Sequence, residues 1–504
     1  MSTADATNAA ATLPTPRPVI YLTGDSLTER GTDPDNAGWV ALLQDRYNRS
    51  ADIVARGLSG YNTKWFIESA LPVVERELSG EVRLPSLITL WLGANDAALP
   101  DGAAARQHVP LATYKENLAT IVRAFQNVAP QTHVLLITPP HVDDAVRKSR
   151  SPIGCAERTN AATGEYARAC VDVAREIGVD VLDLYSFFNA MSDSERAACL
   201  DDGLHITAKG NRLVDEQLQI KINKAFPDLA KQLEAWQLPN FRIWMNALVP
   251  VVVAVAAVYV ASYFGAWEQV ARRYSRPVLY LLGDSITESG VNPGKSGWVA
   301  LLQHRYQRST DVLPRGLSGY NTKWFIEFAL PVIKRELSGG GISPSLITLW
   351  LGANDAALTN GPSARQHVPL ETYAANLEEI VYSLRASAPD AALLLITPPH
   401  VDDAARQMRS KTGRLDRSNA MAGEYARACV ETAAKLGVTV LDVHSLFDSM
   451  SARERTMCLE DGLHLSAWGN RLMERLLRAK IADAFPVLMS RLEVWEIPNW
   501  DRLP

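Results

Sequence analysis

The chain has 504 residues, of which 47% are hydrophobic and 21% are charged, and its formal net charge is −5 at pH 7. This composition argues against a disordered chain, which would carry fewer apolar side chains. The weakly acidic balance gives no support for a nucleic-acid partner, for which a basic patch is expected. The length allows roughly two to four domains of about 100–200 residues each.

The chain contains one sequence pattern twice. The stretch RGLSGYNTKWFIE at residues 56–68 recurs letter for letter at residues 315–327, and PSLITLWLGANDAAL at residues 85–99 recurs at residues 344–358. The copies are 259 positions apart at the GDS triplet (285 − 26) and again at the DGLH tetrapeptide (464 − 205). A gapless repeat of this length indicates two whole domains. We predict a disordered leader at residues 1–16, a first domain at residues 17–240 and a second at residues 276–504.

Within each copy, short apolar runs alternate with amphipathic segments. In the first copy the apolar runs predict strands, which in chain order are residues 19–22, 52–55, 87–92, 133–138 and 179–184. The amphipathic segments predict helices, at residues 39–47, 63–78, 114–128, 161–177 and 208–225. This alternation is typical of a parallel sheet covered by helices on both faces. In such sheets functional loops gather at the carboxyl ends of the strands.

Ser26 follows the first predicted strand in a Gly-Asp-Ser turn, where glycine permits the tight bend that exposes a hydroxyl group. A serine hydroxyl becomes a strong nucleophile when a base removes its proton, and His205 is the candidate base. Asp202, three residues earlier, can accept a hydrogen bond from the imidazole and fix its tautomer. The second copy carries the same three residues as Ser285, Asp461 and His464. Each copy therefore holds the side chains needed for acyl transfer.

A tetrahedral intermediate of acyl transfer also needs hydrogen-bond donors for its oxyanion. Candidates are the backbone N–H groups of Ser26 and Gly60 and the side-chain amide of Asn95, since Gly60 and Asn95 also follow strand ends. The alternative is that Gly60 only permits a turn and that Asn95 only caps its own loop. The counterparts in the second copy are Gly319 and Asn354.

Taken together, GDSLTE around Ser26, SGYN around Gly60, GAND around Asn95 and DGLH ending in His205 resemble the four catalytic blocks of the SGNH (GDSL-type) hydrolase family. Within that family, RGLSGYNTKW, LWLGANDAAL and QHVPLATYKENL look like the isoamyl acetate-hydrolysing esterase group. The resemblance implies two tandem three-layer α/β/α domains, each with a flavodoxin-like parallel sheet. It also implies a serine nucleophile, an Asp–His pair and a Gly–Asn oxyanion pair in each domain, at the positions given above.

The activity implied by the resemblance is hydrolysis of small carboxylic esters, acetyl or short-chain acyl, through an acyl-serine intermediate, without a cofactor. Ester and water are then the reactants. Two alternatives stay open: a lipase- or lysophospholipase-like hydrolase at a membrane surface, and a non-catalytic membrane scaffold that retains the fold. His108 and His367 are candidate substrate contacts, with loop packing as the alternative. We expect no metal site, because no H-x-x-x-H pattern or cysteine pair appears.

The segment between the copies has no counterpart elsewhere in the chain. From Ile243 to Trp267 it runs without a charged residue, and as a helix it would be about 37 Å long, more than the roughly 30 Å hydrocarbon core of a bilayer. We predict that an apolar transmembrane helix joins the domains. A buried interdomain helix is an alternative, and Pro250 allows a re-entrant hairpin.

This prediction implies a membrane protein, single-pass or monotopic, that is not secreted and has at least one catalytic domain in the cytoplasm. The first 16 residues lack the basic and apolar regions of a secretory signal.

The cysteines are odd in number, so we expect free thiols rather than a disulfide framework. They are Cys155, Cys170, Cys199, Cys429 and Cys458.

Overall fold

The protein is described here by a computed structural model, which covers residues 17–80, 84–151, 154, 156–237, 276–338 and 341–503. Each sequence repeat forms one α/β domain. We call them lobe 1 (residues 17–237) and lobe 2 (residues 276–503). The predicted segment 243–267 and the predicted leader at residues 1–16 lie outside the described residues.

Each lobe is built on a parallel sheet. The strands of lobe 1 are β1 (Val19–Gly24), β2 (Asp52–Gly57), β3 (Leu87–Trp91), β4 (His133–Ile137) and β5 (Asp180–Leu182). Those of lobe 2 are β6 (Val278–Asp284), β7 (Asp311–Leu317), β8 (Leu346–Trp350), β9 (Ala392–Ile396) and β10 (Thr439–Leu441). The strand order is β2-β1-β3-β4-β5 in lobe 1 and the equivalent β7-β6-β8-β9-β10 in lobe 2. This order is flavodoxin-like, as predicted.

Helices connect the strands. In lobe 1 they are Ser26–Glu29, Trp39–Tyr47, Thr63–Trp65, Leu71–Gly80, Leu111–Val128, Asp144–Arg150, Asn160–Ile177, Leu184–Asn189, Asp193–Ala197, Ala208–Ala225 and Pro227–Glu234. In lobe 2 they are Ser285–Ser289, Trp298–Tyr306, Thr322–Trp324, Leu330–Ser338, Leu370–Ser387, Asp403–Arg409, Asn419–Leu436, Val443–Asp448, Ala452–Cys458, Ala467–Ala484 and Pro486–Leu492. One π-helical turn interrupts the second connection of each lobe, at Phe66–Ala70 and Phe325–Ala329.

The sheet of each lobe is covered on both faces. In lobe 1, Ile20 and Leu22 of β1 pack in a core cluster with helices Trp39–Tyr47 and Ala208–Ala225. Tyr21, which points to the other face, packs with helix Leu111–Val128. Successive side chains of a strand point to opposite faces, so a strand of uninterrupted apolar residues needs cover on both. The predicted three-layer α/β/α arrangement is therefore present in both lobes.

The fifth predicted strand is shorter than expected. The alternating pattern at residues 179–184 predicts a strand of six residues, but β5 has three. Asp183 ends it, because its side chain accepts a hydrogen bond from the backbone N–H of Ser186 and caps helix Leu184–Asn189. A capping aspartate thus overrides the apolar pattern that favours a strand.

The lobes meet across a pseudo-twofold interface. The Arg56 guanidinium of lobe 1 pairs with Asp311 of lobe 2 at 2.8 Å, and Arg315 of lobe 2 pairs with Asp52 of lobe 1 at 2.8 Å. Both arginine side chains are almost completely buried. The two pairs exchange under the 259-position offset, as the contacts of an isologous dimer interface do.

The carboxyl-terminal segment of lobe 2 crosses onto lobe 1. The Tyr61 hydroxyl donates a hydrogen bond to the Pro498 carbonyl at 2.8 Å. The indole ring of Trp500 stacks on that of Trp65, with ring centroids 6.1 Å apart. Leu503 is 7% exposed and belongs to the core cluster of lobe 1. Lobe 1 is therefore completed by residues from the end of the chain.

The prediction that a transmembrane helix joins the two domains is wrong. Within the described ranges, no helix is both long enough and apolar enough to cross a bilayer. The feature that suggested one was the uncharged composition of residues 243–267, and composition alone does not establish a helix.

Candidate active site

Ser26 stands where β1 ends and a short helix begins. Asp25 caps this helix, since its carboxylate accepts a hydrogen bond from the backbone N–H of Leu27 at 2.9 Å. The peptide N–H of Asp25 donates to the Trp91 carbonyl on β3, which ties the turn to the neighbouring strand. These bonds fix the turn that places Ser26, 8% exposed, at the carboxyl edge of the sheet.

The structure brings the three predicted residues of lobe 1 into one hydrogen-bonded chain. Ser26 Oγ lies 2.9 Å from His205 Nε2, and His205 Nδ1 lies 2.7 Å from Asp202 Oδ2. With its proton on Nδ1, the imidazole donates to Asp202 and its Nε2 accepts the serine proton. Asp202 Oδ1 also accepts the backbone N–H of His205 at 2.8 Å, so a single turn fixes both side chains.

Lobe 2 has the same hydrogen-bonded series of serine, histidine and aspartate. Ser285 Oγ lies 2.9 Å from His464 Nε2, and His464 Nδ1 lies 2.9 Å from Asp461 Oδ2. The two histidines differ in exposure, with 30% of the His464 side chain exposed against 14% of the His205 side chain. The chemistry of both sites is thus the same, and the site of lobe 2 is the more open.

The electrostatics of lobe 1 suit a neutral base beside an ionised carboxylate. Burial raises the pKa of Asp202, but the hydrogen bond and charge of His205 outweigh it and hold that pKa well below its usual range. Burial lowers the pKa of His205, and its hydrogen bond to Asp202 offsets this only in part. At neutral pH the carboxylate is therefore charged and the imidazole is able to accept a proton.

The predicted oxyanion donors lie at neighbouring strand ends. Gly60 follows β2 with φ of +80°, a left-handed conformation that favours glycine. Asn95 follows β3, and its Nδ2 donates to the Tyr61 carbonyl at 2.8 Å instead of capping its own loop. Within the described part of the chain, the backbone N–H groups of Ser26 and Gly60 donate no hydrogen bond. These N–H groups and the second Nδ2–H of Asn95 are available to an oxyanion.

In lobe 2, Gly319 has φ of +83° and Asn354 Nδ2 donates to the Tyr320 carbonyl at 2.8 Å. The same amide nitrogen lies 3.5 Å from the Asp284 carboxylate, a long contact beside Ser285. The Gly–Asn arrangement of lobe 1 is therefore repeated.

The two other predicted contacts, His108 and His367, are engaged in their own loops. His108 Nδ1 lies 2.7 Å from the Ala98 carbonyl, and His367 Nδ1 lies 2.8 Å from the Ala357 carbonyl. These bonds fit the loop-packing alternative, and a substrate contact through either ring stays a prediction.

Cys170, Cys199, Cys429 and Cys458 are buried and free, while Cys155 lies outside the described residues. Among the residues that the structure covers, no group of His, Cys, Asp or Glu side chains could hold a metal ion.

Three side chains next to the site, two of them buried and one partly buried, were missed in the sequence. Arg158 donates to Asn95 Oδ1, Arg147 pairs with Asp202, and Gln107 donates to the Gly60 carbonyl. All three recur at the 259-position offset, as Arg417, Arg406 and Gln366. That recurrence is the signal that could have found them, although it marks packing residues equally well.

Comparison with known proteins identifies relatives that match less than half of this chain. An Arabidopsis thaliana GDSL esterase/lipase is 42% identical over 212 residues, which are 41% of this chain and 86% of the relative. The isoamyl acetate-hydrolyzing esterase 1 homolog of Rattus norvegicus is 38% identical over 223 residues, 44% of this chain and 87% of the relative. These relatives therefore correspond in length to one lobe.

Among solved structures, the lipase/acylhydrolase from Enterococcus faecalis is 22% identical, with a TM-score of 0.33 over 41% of this chain and 96% of that one. The GDSL-like Lipase/Acylhydrolase family matches residues 22–213 and again residues 281–472, which together are most of the chain. The protein therefore belongs to the GDSL-like lipase/acylhydrolase family, with one family domain in each lobe, and is a carboxylic ester hydrolase.

Proposed function

We propose that each lobe hydrolyses small carboxylic esters, with acetyl or other short acyl groups, through an acyl-serine intermediate. The observation that carries the proposal is the chain from serine through histidine to aspartate, present in both lobes with serine-to-histidine distances of 2.9 Å. The preference for a short acyl group is supported by the similarity to proteins named as isoamyl acetate-hydrolyzing esterase homologs.

In the first half of the reaction, Ser26 Oγ attacks the ester carbonyl carbon while His205 Nε2 takes the hydroxyl proton. The carbonyl oxygen becomes an oxyanion, which accepts hydrogen bonds from the free donors at Ser26, Gly60 and Asn95. Such donors are already oriented before the charge develops, and each is typically worth about 100- to 1000-fold in rate. The ionised Asp202 stabilises the imidazolium that forms.

In the second half, the tetrahedral intermediate collapses and its alcohol oxygen leaves with the proton from His205. A water molecule then attacks the acyl-serine, and His205 takes one of the water's protons. Collapse of this second intermediate returns that proton to Ser26 Oγ and releases the carboxylic acid. The net reaction consumes one ester and one water and regenerates the enzyme.

The test is hydrolysis of p-nitrophenyl esters by four proteins: the parent chain, Ser26→Ala, Ser285→Ala and the double variant. We expect each single variant to keep the activity of its intact lobe and the double variant to lose serine-dependent turnover. A matched control is Ser149→Ala, since Ser149 is an exposed serine on helix Asp144–Arg150. Substantial activity in the double variant would refute the assignment of the nucleophiles.

The same single variants separate the substrate classes when the acyl chain is lengthened step by step. The proposal expects kcat/KM to be highest for the acetyl or other short-chain esters and to fall as the chain grows. A steep rise toward long acyl chains in both lobes would favour a lipase-like hydrolase instead.

A further inference from the structure

In lobe 1, a row of alternating charges begins at Asp202, the last residue of the Ser26–His205–Asp202 hydrogen-bonded series. Arg158 Nη1 donates to Glu157 Oε1 at 3.1 Å, Glu157 forms an ion pair with Arg147, and Arg147 Nη1 lies 3.3 Å from Asp202 Oδ2. We call Arg158, Glu157, Arg147 and Asp202 the charge row. Its side chains are between 5% and 14% exposed. Four charges can be held here with little exposure because positive and negative groups alternate: Arg147 lies between Glu157 and Asp202, and Arg158 lies beside Glu157.

The row ends at Arg158, which contacts the Asn95 loop directly and is linked to the Gly60 loop through Gln107. Arg158 Nη2 donates to Asn95 Oδ1 at 2.9 Å and to Gln107 Oε1 at 2.5 Å. Gln107 Nε2 in turn donates to the Gly60 carbonyl at 2.9 Å. Arg158 Nε also holds the Ala94 carbonyl at 2.7 Å, one residue before Asn95. One guanidinium thus fixes the Asn95 loop directly and the Gly60 loop through Gln107.

Lobe 2 reaches the same arrangement with a different acid. Arg417 Nη2 donates to Asn354 Oδ1 at 2.7 Å and to Gln366 Oε1 at 2.6 Å. Its carboxylate partner is Asp416, where lobe 1 has the longer Glu157. Arg406 then links Asp416 to Asp461, with Nη1 3.2 Å from Asp461 Oδ2. The connection from Asn354 to Asp461 is therefore kept, although the acid between the two arginines is an aspartate in lobe 2 and a glutamate in lobe 1.

These contacts determine which end of the asparagine amide faces the reaction. Because the Arg158 guanidinium can only donate, it accepts no bond from Nδ2 and holds Oδ1 toward itself. One Nδ2–H then donates to the Tyr61 carbonyl, and the amide nitrogen with its second N–H faces away from Arg158. A cation bonded to Oδ1 also polarises the amide and makes its N–H a stronger donor.

We propose that Arg158 in lobe 1 and Arg417 in lobe 2 are positioning residues that orient the Asn and Gly oxyanion donors and join them, through the charge row, to the catalytic aspartate. The inference rests on the ester hydrolysis proposed above. The orientation of these donors affects the rate of the chemical step, because a misoriented amide cannot hydrogen-bond the oxyanion that develops in the transition state.

Lysine is the informative replacement at Arg158. It keeps the charge and the aliphatic stem, but its single ammonium lacks the planar fork that reaches Ala94, Asn95, Gln107 and Glu157 together. In the Ser285→Ala background, which reports on lobe 1 alone, we expect Arg158→Lys and Arg158→Met to lower kcat by about 100-fold or more. KM is expected to stay within about threefold of the parent, since the substitution removes no contact that is made equally to the bound ester and to the transition state.

A second measurement separates positioning from a general loss of structure. An alkyl boronic acid forms a tetrahedral adduct on the serine, with an oxygen where the oxyanion would lie. Its inhibition constant should rise in parallel with the loss of kcat/KM if the donors are misoriented. Arg417→Lys in the Ser26→Ala background should behave in the same way in lobe 2. The matched control is Arg175→Lys, because Arg175 is 74% exposed on helix Asn160–Ile177 and should change neither constant.

The outcomes are distinguishable. If the Ser285→Ala parent has no turnover that depends on Ser26, the proposed function fails and this inference falls with it. If that parent is active and Arg158→Lys keeps its kcat and boronic acid affinity, the positioning role alone is refuted. A rise in KM with unchanged kcat refutes it too. A loss of activity that follows only the unfolded fraction of both variants would make Arg158 a structural residue.

Discussion

At the scale of single residues, His205 is the group whose protonation controls the proposed reaction. It lies between the Ser26 hydroxyl and the ionised Asp202, with most of its surface buried. Burial disfavours the charged imidazolium and lowers the pKa of His205 below its ordinary value of 6.5. The neutral imidazole, which alone can accept the serine proton, therefore persists to lower pH than an exposed histidine would allow.

The first prediction concerns this pH dependence. In Ser285→Ala, which leaves only lobe 1 active, kcat/KM should fall on acidification with a midpoint below 6.5. The sign follows because a lowered pKa delays protonation of the base as the pH falls. The measurement is kcat/KM for p-nitrophenyl acetate from about pH 4 to 8, since kcat/KM reports on the free enzyme. A midpoint above 7 would contradict the account of His205.

The same residues show what the sequence could reveal. Ser26, His205 and Asp202 could be named in advance because their short motifs recur at a constant offset and follow strand ends. Arg158 and Arg147 could not be assigned, because an arginine that recurs in a duplicated domain is as often a surface or packing residue. Their contacts depend on loops that lie 51 to 63 positions apart in the chain, and no local pattern encodes such distances.

At the scale of elements, the carboxyl-terminal segment of lobe 2 packs against the loop of lobe 1 that carries Gly60. Trp500 stacks on Trp65, which belongs to the short helix that follows the Gly60 loop. An added Cβ on Gly60 would lie 2.2 Å from Trp500 Cδ1, so the indole packs directly against this glycine. The position of a predicted oxyanion donor in lobe 1 thus depends on a residue more than 400 positions later in the chain.

The second prediction tests this dependence. Trp500→Ala removes the stacking partner and the packing against Gly60, so we expect faster amide exchange at helix Thr63–Trp65 and reduced kcat in the Ser285→Ala background. The activity of lobe 2, measured in Ser26→Ala, should be unchanged. Trp468→Ala is the control, because Trp468 is 52% exposed. Equal losses in both lobes would show a general destabilisation instead.

Most elements follow from hydrophobic periodicity. Helix Ala208–Ala225 has the bounds that its amphipathic pattern predicts, and the parallel sheet follows from the alternation of apolar and amphipathic segments. The short helices Asp144–Arg150 and Asp193–Ala197 were not predicted, because they have no buried apolar residues and therefore no periodicity to read. Their capping residues, Asp143 and Ser192, were the available signal.

At the scale of the whole molecule, the two lobes are held by charges that are buried between them. Asp52 accepts from Arg315 of lobe 2 at 2.8 Å and from Arg17 of its own lobe at 2.9 Å. The Arg315 side chain is 0% exposed and also pairs with Glu336 of its own lobe at 2.9 Å. Buried pairs of this kind add little net stability over apolar packing, but loss of one partner is costly since it leaves an uncompensated charge.

The third prediction follows from that asymmetry. Asp52→Asn should destabilise the protein by about 3–5 kcal/mol, because it removes one negative charge from beside two buried arginines, Arg17 and Arg315, while Arg315 keeps its ion pair with Glu336. Thermal unfolding should show a lower Tm for this variant. Asp228→Asn is the control, since the Asp228 side chain is 92% exposed in its pair with Lys231 and should leave Tm unchanged. An unchanged Tm for Asp52→Asn would show that the interface is not formed as described.

The central claim is that one chain carries two serine-dependent sites. It is tested most directly by intact-mass analysis after reaction with a fluorophosphonate, which attaches covalently to an activated serine. We expect two adducts on the parent chain, one on Ser26→Ala, one on Ser285→Ala and none on the double variant, with the adducts mapped to Ser26 and Ser285. A parent chain that stays unlabelled, or a double variant that is labelled like the parent, would contradict the claim.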